Sequence, residues 1–436
     1  MSSARPGTGW KGKALQVGLP FLFFLFLPIA LFWPVLWGEA TMVPFDTLYT
    51  GLPWHAFREE VGVGAPHNEL VADLVLENFQ WKRFAVEQLR RGELPLWQNR
   101  QFAGSPFLAT GQHSMLYPLS VLFLLLPIHA AFGWFTVLSL AIAGTTMYGL
   151  ARTVGLSRGG ALLAGLVYQG SGFFTTSIVF PMIIAGAAWL PLLLAALHGL
   201  ARAARNRRPW VESALPWVAV GAVAIGMTAL AGHAEVFYYT LLVGGGYGLW
   251  LLLALGWGGA VGARRAPLHH VGRYVVAGLA VVVIGLLLSA AQVVPLYEVV
   301  SHNFREGGAA LDEVLGYAWP LRQGSSFVVP DMLGNPARHD FYNLQTRRWE
   351  PIVTQQPINE AGATTTLDHV AWFKGTADWK NYVEGAGYPG ILPLLLVLAA
   401  LWHLVRRDAP GVARPPGVEP GVARPPGVPL RSTPGY

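Results

Sequence analysis

The feature that most restricts this chain is a set of long apolar runs, the first of which extends from Leu15 to Trp37 without one charged side chain. A backbone in hydrocarbon must pair its N–H and C=O groups within its own segment, so about twenty apolar residues in a row predict a bilayer-spanning helix. Eight segments meet that length: 15–37, 130–151, 159–178, 181–202, 213–231, 235–256, 273–297 and 388–405. The run from Tyr117 to Pro127 is apolar but short and holds Pro118 and Pro127, which predicts a re-entrant or interfacial helix. The expected fold class is an all-α polytopic membrane protein with about eight transmembrane helices, one such short helix and two long outer loops.

Composition agrees. Charged residues make up 12% and hydrophobic residues 53% of the chain, against roughly a quarter charged in a soluble domain. The net charge of +6 would suit nucleic acid if the cations formed one patch. They sit instead in short segments beside the apolar runs, where they orient a membrane protein, so a nucleic-acid partner is excluded. The chain has no cysteine, which rules out disulfides and thiolate metal sites. The first run lacks a small-residue cleavage site and is read as a retained anchor.

The positive-inside rule sets an orientation. With the N-terminus inside, the basic segments at Arg152–Arg158, Arg202–Arg208, Arg264–Arg273 and Arg406–Arg407 all face the cytoplasm, and the short outer connections at 175–181 and 232–235 hold no Lys or Arg. The layout expected in the cytoplasmic membrane is then a cytoplasmic N-terminus (1–14), a first span (15–37), an outer loop (38–116), a helix bundle (117–300), a second outer loop (301–387), a last span (388–405) and a tail (406–436). The tail repeats GVARPPGV and is expected to be disordered.

Within the first outer loop, residues 72–91 have the period of an amphipathic helix. Val71, Leu74, Val75, Phe79, Ala85, Val86 and Leu89 share one side; Asp73, Glu77, Gln80, Glu87 and Arg91 share the other. This predicts a helix lying on the membrane, with Trp81, Lys82 and Arg83 at headgroup depth. Asp73 reads either as a helix-start carboxylate or as a functional acid at a surface cleft, and Asp46 either as a turn residue or as a second such acid. Downstream, Trp97, Asn99, Gln101, Gln112 and His113 offer a stacking face with donors and acceptors that suits sugars or lipid headgroups, although an interfacial aromatic belt explains the aromatics equally.

Other polar residues flank the spans. His233 and Glu235 sit in a tight outer turn, either as a functional pair or as a solvated one. Gln292, Pro295 and Glu298 recur at a spacing of three, lining a cleft or bonding between helices. In the second outer loop Asp331, Asn335, Asn381 and Glu384 are candidate acceptor ligands. No metal-ligand spacing is present, so no metal residues are assigned.

Taken in order, RRGELPLWQNRQFAGSPFLATGQHSMLYP, AGTTMYGLARTVGLSRGGALLAGLVYQGSGF, AAWLPLLLAAL, AGHAEVFYYTLL, SAAQVVPLYEVVSHNFR and NYVEGAGYPGILPLLL resemble the bacterial YfhO-like family of GT-C type membrane glycosyltransferases. The resemblance extends from about Pro44 to Trp402. It implies a hexosyltransferase that takes a sugar from a polyprenyl-phosphate donor and passes it to a cell-envelope glycan or lipid acceptor at the outer face. It also implies that an acid of the first outer loop is the catalytic base or an orienting or metal-binding carboxylate. PHNELVAD points to Asp73 in that role and VPFDTLYTGLPW keeps Asp46 beside it. Arg83, Arg100, His113 and Arg305 become candidate phosphate partners, and a divalent metal ion is the cofactor left open. Substrate contacts fall to Trp97, Asn99, Gln112, His113, His233, Glu235, Gln292, Glu298, Arg305 and Glu384.

The chain departs from the family in two places. Gln98 and Asn99 stand where Asn-Pro commonly follows the Trp of the PLW motif, and family members are usually longer. Two other readings therefore stand beside the first: a transporter or flippase of lipid-linked cell-envelope intermediates, and an inactive C-terminally truncated fragment.

Overall fold

A computed structural model of the chain describes residues 10–38, 40–64, 71–101, 103–206, 209–257, 268–302, 311, 321–332, 334–335, 340–343, 347–351 and 391–407. Arg305, Asn381, Glu384 and the repeated tail lie outside the described residues.

Helices dominate. In chain order they are α1 (Trp10–Trp37), α2 (Gln80–Arg90), α3 (Phe107–Thr110), α4 (Leu122–Leu125), α5 (Ile128–Thr153), α6 (Arg158–Gln169), α7 (Gly172–Thr176), α8 (Pro181–Ala187), α9 (Leu190–Ala204), α10 (Trp210–Leu230), α11 (Ala234–Trp257), α12 (Leu268–Leu288), α13 (Ala290–Val300) and α14 (Ile391–Arg407). A two-stranded ribbon pairs β1 (Trp97–Gln98) with β2 (Ser105–Pro106). A three-stranded antiparallel sheet joins β3 (Gly334–Asn335), β4 (Asp340–Asn343) and β5 (Arg348–Pro351). α14 belongs to a separate compact unit beginning at Ile391.

Among the described residues six stretches are long and apolar enough to cross a bilayer: 18–37, 128–153, 181–204, 210–230, 234–256 and 268–288. In the 128–153 and 181–204 stretches 61% of the apolar window is buried in the protein, against 17% for 234–256, so α5, α8 and α9 are central and α11 is peripheral. The outward faces of α11 and α12 carry Leu242, Leu249, Trp250, Leu279, Val283 and Leu287 exposed, an apolar surface suited to lipid or to another apolar surface.

Three expected spans differ. Residues 159–178 are not one helix: α6 ends at Gln169, and α7 begins after Ser171. α14 has 17 residues, and its apolar part is confined to Pro393–Trp402. The expected span 273–297 is broken at Ser289 into α12 and α13. Tyr117–Pro127 folds as one 3-10 turn and the single turn of α4, far short of a crossing.

Neighbouring contacts fix the direction of each helix. Ala185 of α8 packs with Phe132 and Phe135 at the start of α5, while Arg202 of α9 donates to Thr153 O at the end of α5. α5 and α8–α9 thus run the same way, and residues 154–180, through α6 and α7, carry the chain back between them. At one end of the bundle lie Arg152, Arg202, Arg205 and the start of α12. At the other lie Trp37, Trp134, the turn at 231–233 and the segment 107–118.

The break between α8 and α9 explains much of the motif sequence. Pro191 has no N–H to give Ala187 O, and the turn at Ala188–Trp189 releases further carbonyls. Tyr168 OH donates to Ala187 O at 2.9 Å, Thr146 Oγ1 to Ala188 O at 2.7 Å, and Thr228 Oγ1 to Gly186 O at 3.3 Å. Three helices therefore close one break. Phe24 of α1 is fully buried against α5 and α6, so close that a Cβ on Gly165 would lie 2.3 Å from its ring. Small residues at such seams let helices meet where no hydrophobic drive exists between them.

Candidate functional site

The end of the bundle away from the arginines is roofed by α2. Its apolar side is the one the sequence predicts: Val71, Leu74, Val75 and Ala85 are buried, Phe79, Val86 and Leu89 are half-buried, and Asp73, Glu77 and Gln80 are exposed. That side faces protein, however, not lipid. Leu74 and Val75 join Val43, Tyr117, Phe123, Phe132 and Phe135 in one core. The expected membrane-surface helix is therefore a lid on the bundle end, because Phe123, Phe132 and Phe135 offer it a complementary apolar floor.

The helix is entered through a π turn, Leu74–Phe79, a form that often marks a functional position. The wider turn brings Asn78 inward, where it is 1% exposed. Its Nδ2 donates to Met182 Sδ at 3.6 Å, and its Oδ1 has no hydrogen-bond partner among the described residues. Asp73 is exposed at the start of the π turn, with helical φ and ψ and no side-chain capping bond, a position where the helix dipole favours a carboxylate. Burial, and then the charge of Asp73, raise the Glu77 carboxyl above its ordinary range. Asp46 stands in a 3-10 turn (Phe45–Thr50) whose Phe45 ring meets Phe79 edge-on at 5.2 Å. The two acid-bearing segments are thus neighbours through Phe79.

Lys82 departs most from expectation. It is 2% exposed, not at headgroup depth. Its Nζ donates to His113 O and, at 3.2 Å, to Ser120 Oγ, and it lies 4.6 Å from the Phe123 ring centre and 5.3 Å from that of Phe135. Burial lowers its pKa to about 7. A sequence signal did exist: Val75, Asn78, Lys82, Ala85 and Leu89 recur at spacings of three and four, so Lys82 interrupts the stripe that packs inward.

His113 is fully buried and stacks on Phe107 at 4.4 Å. Its Nε2 lies 3.0 Å from Phe107 O and must donate there, while Nδ1 accepts from Met115 N at 3.0 Å. Burial, and then the charge of Lys82, hold its pKa down at about 4. A neutral ring with both nitrogens occupied orders the loop and has neither charge nor free atom for a phosphate.

Three sequence-distant motifs converge beside it. Ser114 Oγ donates to Ala231 O at 2.7 Å, and Gln292 Nε2 donates to Leu108 O at 3.0 Å. Ser120 Oγ donates to Ser114 O at 2.5 Å, which links Lys82 to the turn at 231–233. Gln112, His113, His233 and Gln292 are thereby brought to one junction. Gln292 Oε1 is buried without a partner among the described residues. His233 Nδ1 accepts from Val236 N at 3.2 Å and caps α11; burial lowers its pKa in spite of Glu235. Other candidates stay apart. Glu235 is exposed and accepts from Tyr239 OH at 2.9 Å. Glu298 is exposed near the far end of α13, and Trp97 and Asn99 are exposed at the β1–β2 ribbon.

Between α2 and the start of α5 runs a groove of about 700 Å³. Its apolar surface is Phe79, Val86, Phe123, Leu126, Pro127 and Ile128, and Arg83, Arg90 and Arg91 stand along it with Glu87. Glu87 is paired with Arg91 at 2.6 Å and Arg100 at 2.8 Å. The hydrogen bond from Arg100 is the main reason its carboxyl titrates low. Arg90 donates to Leu124 O at 3.4 Å. The groove therefore presents cationic donors above an apolar floor, the arrangement that takes an anionic head with a hydrocarbon tail. Among the described residues no three His, Asp or Glu side chains gather as metal ligands. No protein-family model, curated protein or solved structure matches the chain.

Proposed function

We propose that this multi-pass membrane protein is a glycosyltransferase that moves a sugar from a polyprenyl-phosphate donor to a cell-envelope glycan or lipid acceptor at the outer face of the cytoplasmic membrane. One juxtaposition carries the reading. Phe79 touches Phe45, next to Asp46, ends the π turn that Asp73 begins, and lines the arginine groove. The two acid-bearing segments and the arginine groove thus meet at Phe79. In the reaction an acceptor oxygen bonds to the anomeric carbon as the bond from that carbon to the phosphate oxygen breaks. The carboxylate of Asp73 or Asp46 takes the acceptor proton, and Arg83 and Arg90 face the charge left on the departing phosphate. The segregation of Arg152, Arg202 and Arg205 at the opposite end of the bundle supports placing this site outside.

Purified protein in lipid nanodiscs, given a polyprenyl-phosphate sugar and a cell-envelope acceptor extract, should transfer the sugar, and the pair Asp46→Asn with Asp73→Asn should abolish transfer. Full activity in that double variant refutes the assignment. Because the chain has no cysteine, Gln80→Cys supplies a unique label, and its reaction with a membrane-impermeant maleimide in intact cells tests the orientation.

A lipid transporter is the second reading, favoured by the breaks at Trp189 and Ser289, since transporters often use interrupted helices. The carbonyls freed at the first break are already bonded by Tyr168, Thr146 and Thr228, which favours a fixed scaffold. Donor turnover without an acceptor-dependent product would turn the choice toward transport.

A further inference from the structure

A second space lies on the other flank of α2. It has a volume of about 320 Å³ and is separated from the arginine groove by Val86 and Phe123, which line both. Its walls are mostly apolar, with Ala85 and Leu89 on one side and Leu116 and Leu124 on the other, and its polar residues are Lys82, His113, Ser120 and Tyr117, whose hydroxyl accepts from Trp189 Nε1. Nothing in the transfer chemistry uses it.

Its charge is unbalanced. The Lys82 ammonium has three donors, of which His113 O and Ser120 Oγ take two, and what remains around it is the faces of Phe123 and Phe135. No described carboxylate pairs with it. His113, its titratable neighbour, is neutral and fully bonded. Among the described residues this buried cation is held by a carbonyl, a hydroxyl and ring faces, without the counter-ion that normally justifies burial.

We propose that this cavity binds a single-chain acidic amphiphile, its phosphate or carboxylate head against Lys82 and its chain between α2 and the Leu116–Leu124 wall. The complementarity lies in a cavity of about 320 Å³ that sets apolar walls beside a desolvated cation for which no described carboxylate is the partner. Such an anion would also lift the Lys82 pKa back from about 7 by opposite-charge stabilisation. The proposal does not depend on the transferase reading.

The experiment uses the full chain in phosphatidylcholine nanodiscs with dodecyl phosphate, inorganic phosphate and dodecanol as probes. Acetic anhydride labelling of Lys82, read by peptide mass spectrometry, reports on the cavity itself. Dodecyl phosphate should protect Lys82 at least tenfold, in the wild type and in the Arg83→Gln, Arg90→Gln variant alike, while dodecanol and inorganic phosphate should not. Equal protection by dodecanol would mean that an acid head is not recognised. Protection by inorganic phosphate alone would mean an ion site without a chain. Protection that vanishes in the arginine variant would place the ligand in the groove. Absence of labelling without any probe would mean that the cavity does not reach Nζ. Each of these four results overturns the proposal. A thermal shift induced by dodecyl phosphate and lost in Lys82→Met adds support where that variant folds.

Discussion

Gly111 and Gly232 stand back to back, so close that a Cβ on Gly232 would lie 1.9 Å from the Gly111 carbonyl oxygen, and both have positive φ, +76° and +88°. The loop after α3 and the turn between α10 and α11 meet backbone to backbone there, and Gln292 closes the third side. Gly232→Ala adds a clash with backbone that no side-chain rotation relieves, together with left-handed strain. The expected loss exceeds about 2 kcal/mol, read as a lower unfolding temperature in detergent. Gly62, also at positive φ but with open space around it, should tolerate alanine with less than half that loss.

The site of burial on α2 separates a protein lid from a lipid-facing helix. Leu74 is 1% exposed within the bundle-end core, whereas Leu76 is 55% exposed. Leu74→Ala should cost about 2–5 kcal/mol and Leu76→Ala close to nothing, in thermal melts of the detergent-solubilised protein. Equal, small effects would return the helix to the membrane surface.

Lys82 sets a pH dependence whose sign is fixed. Its folded pKa is about 7 against 10.5 in the unfolded chain, so between those values the unfolded chain binds the extra proton and folding is favoured increasingly as pH rises. Stability should climb by up to about 1.4 kcal/mol per pH unit from pH 7 upward. Lys82→Met should flatten that slope while lowering stability at high pH, because His113 O and Ser120 lose their donor.

His113 acts in a lower window. Its folded pKa is about 4 against 6.5 unfolded, so the stability of the neutral ring is complete above pH 6.5 and is lost as pH falls toward 4. Melts recorded between pH 4 and 7 should show this acid lability. His113→Gln should show a shallower dependence from a lower starting stability.

Much of this architecture is legible in the residues themselves, because period and length speak directly. The two faces of 71–91, the shortness of 117–127 and most of the long helices follow from apolar spacing alone. What spacing cannot tell is which apolar surface covers a stripe. Lipid and a cluster of Phe123, Phe132 and Phe135 look alike from α2, so Lys82 reads as a headgroup anchor although it points inward. Breaks were equally hard to foresee, since the carbonyls freed before Pro191 are satisfied by Thr146, Tyr168 and Thr228, from three different helices. The polar residues flagged as substrate ligands divide the same way. His113 is polar because it ties its own loop together and Gln292 because it bonds across the fold, and only their partners at Phe107 and Leu108 reveal it.

The bond from Gln292 to Leu108 O also has a bearing on biosynthesis. Leu108 leaves the ribosome well before its partner, so the turn after α3 is threaded to its side of the bilayer with its polar groups still hydrated and is captured only when α13 arrives. Whatever helix pairs assemble first, this bond forms late, and a nascent chain halted before α13 would leave Leu108 O without the side chain that closes the seam.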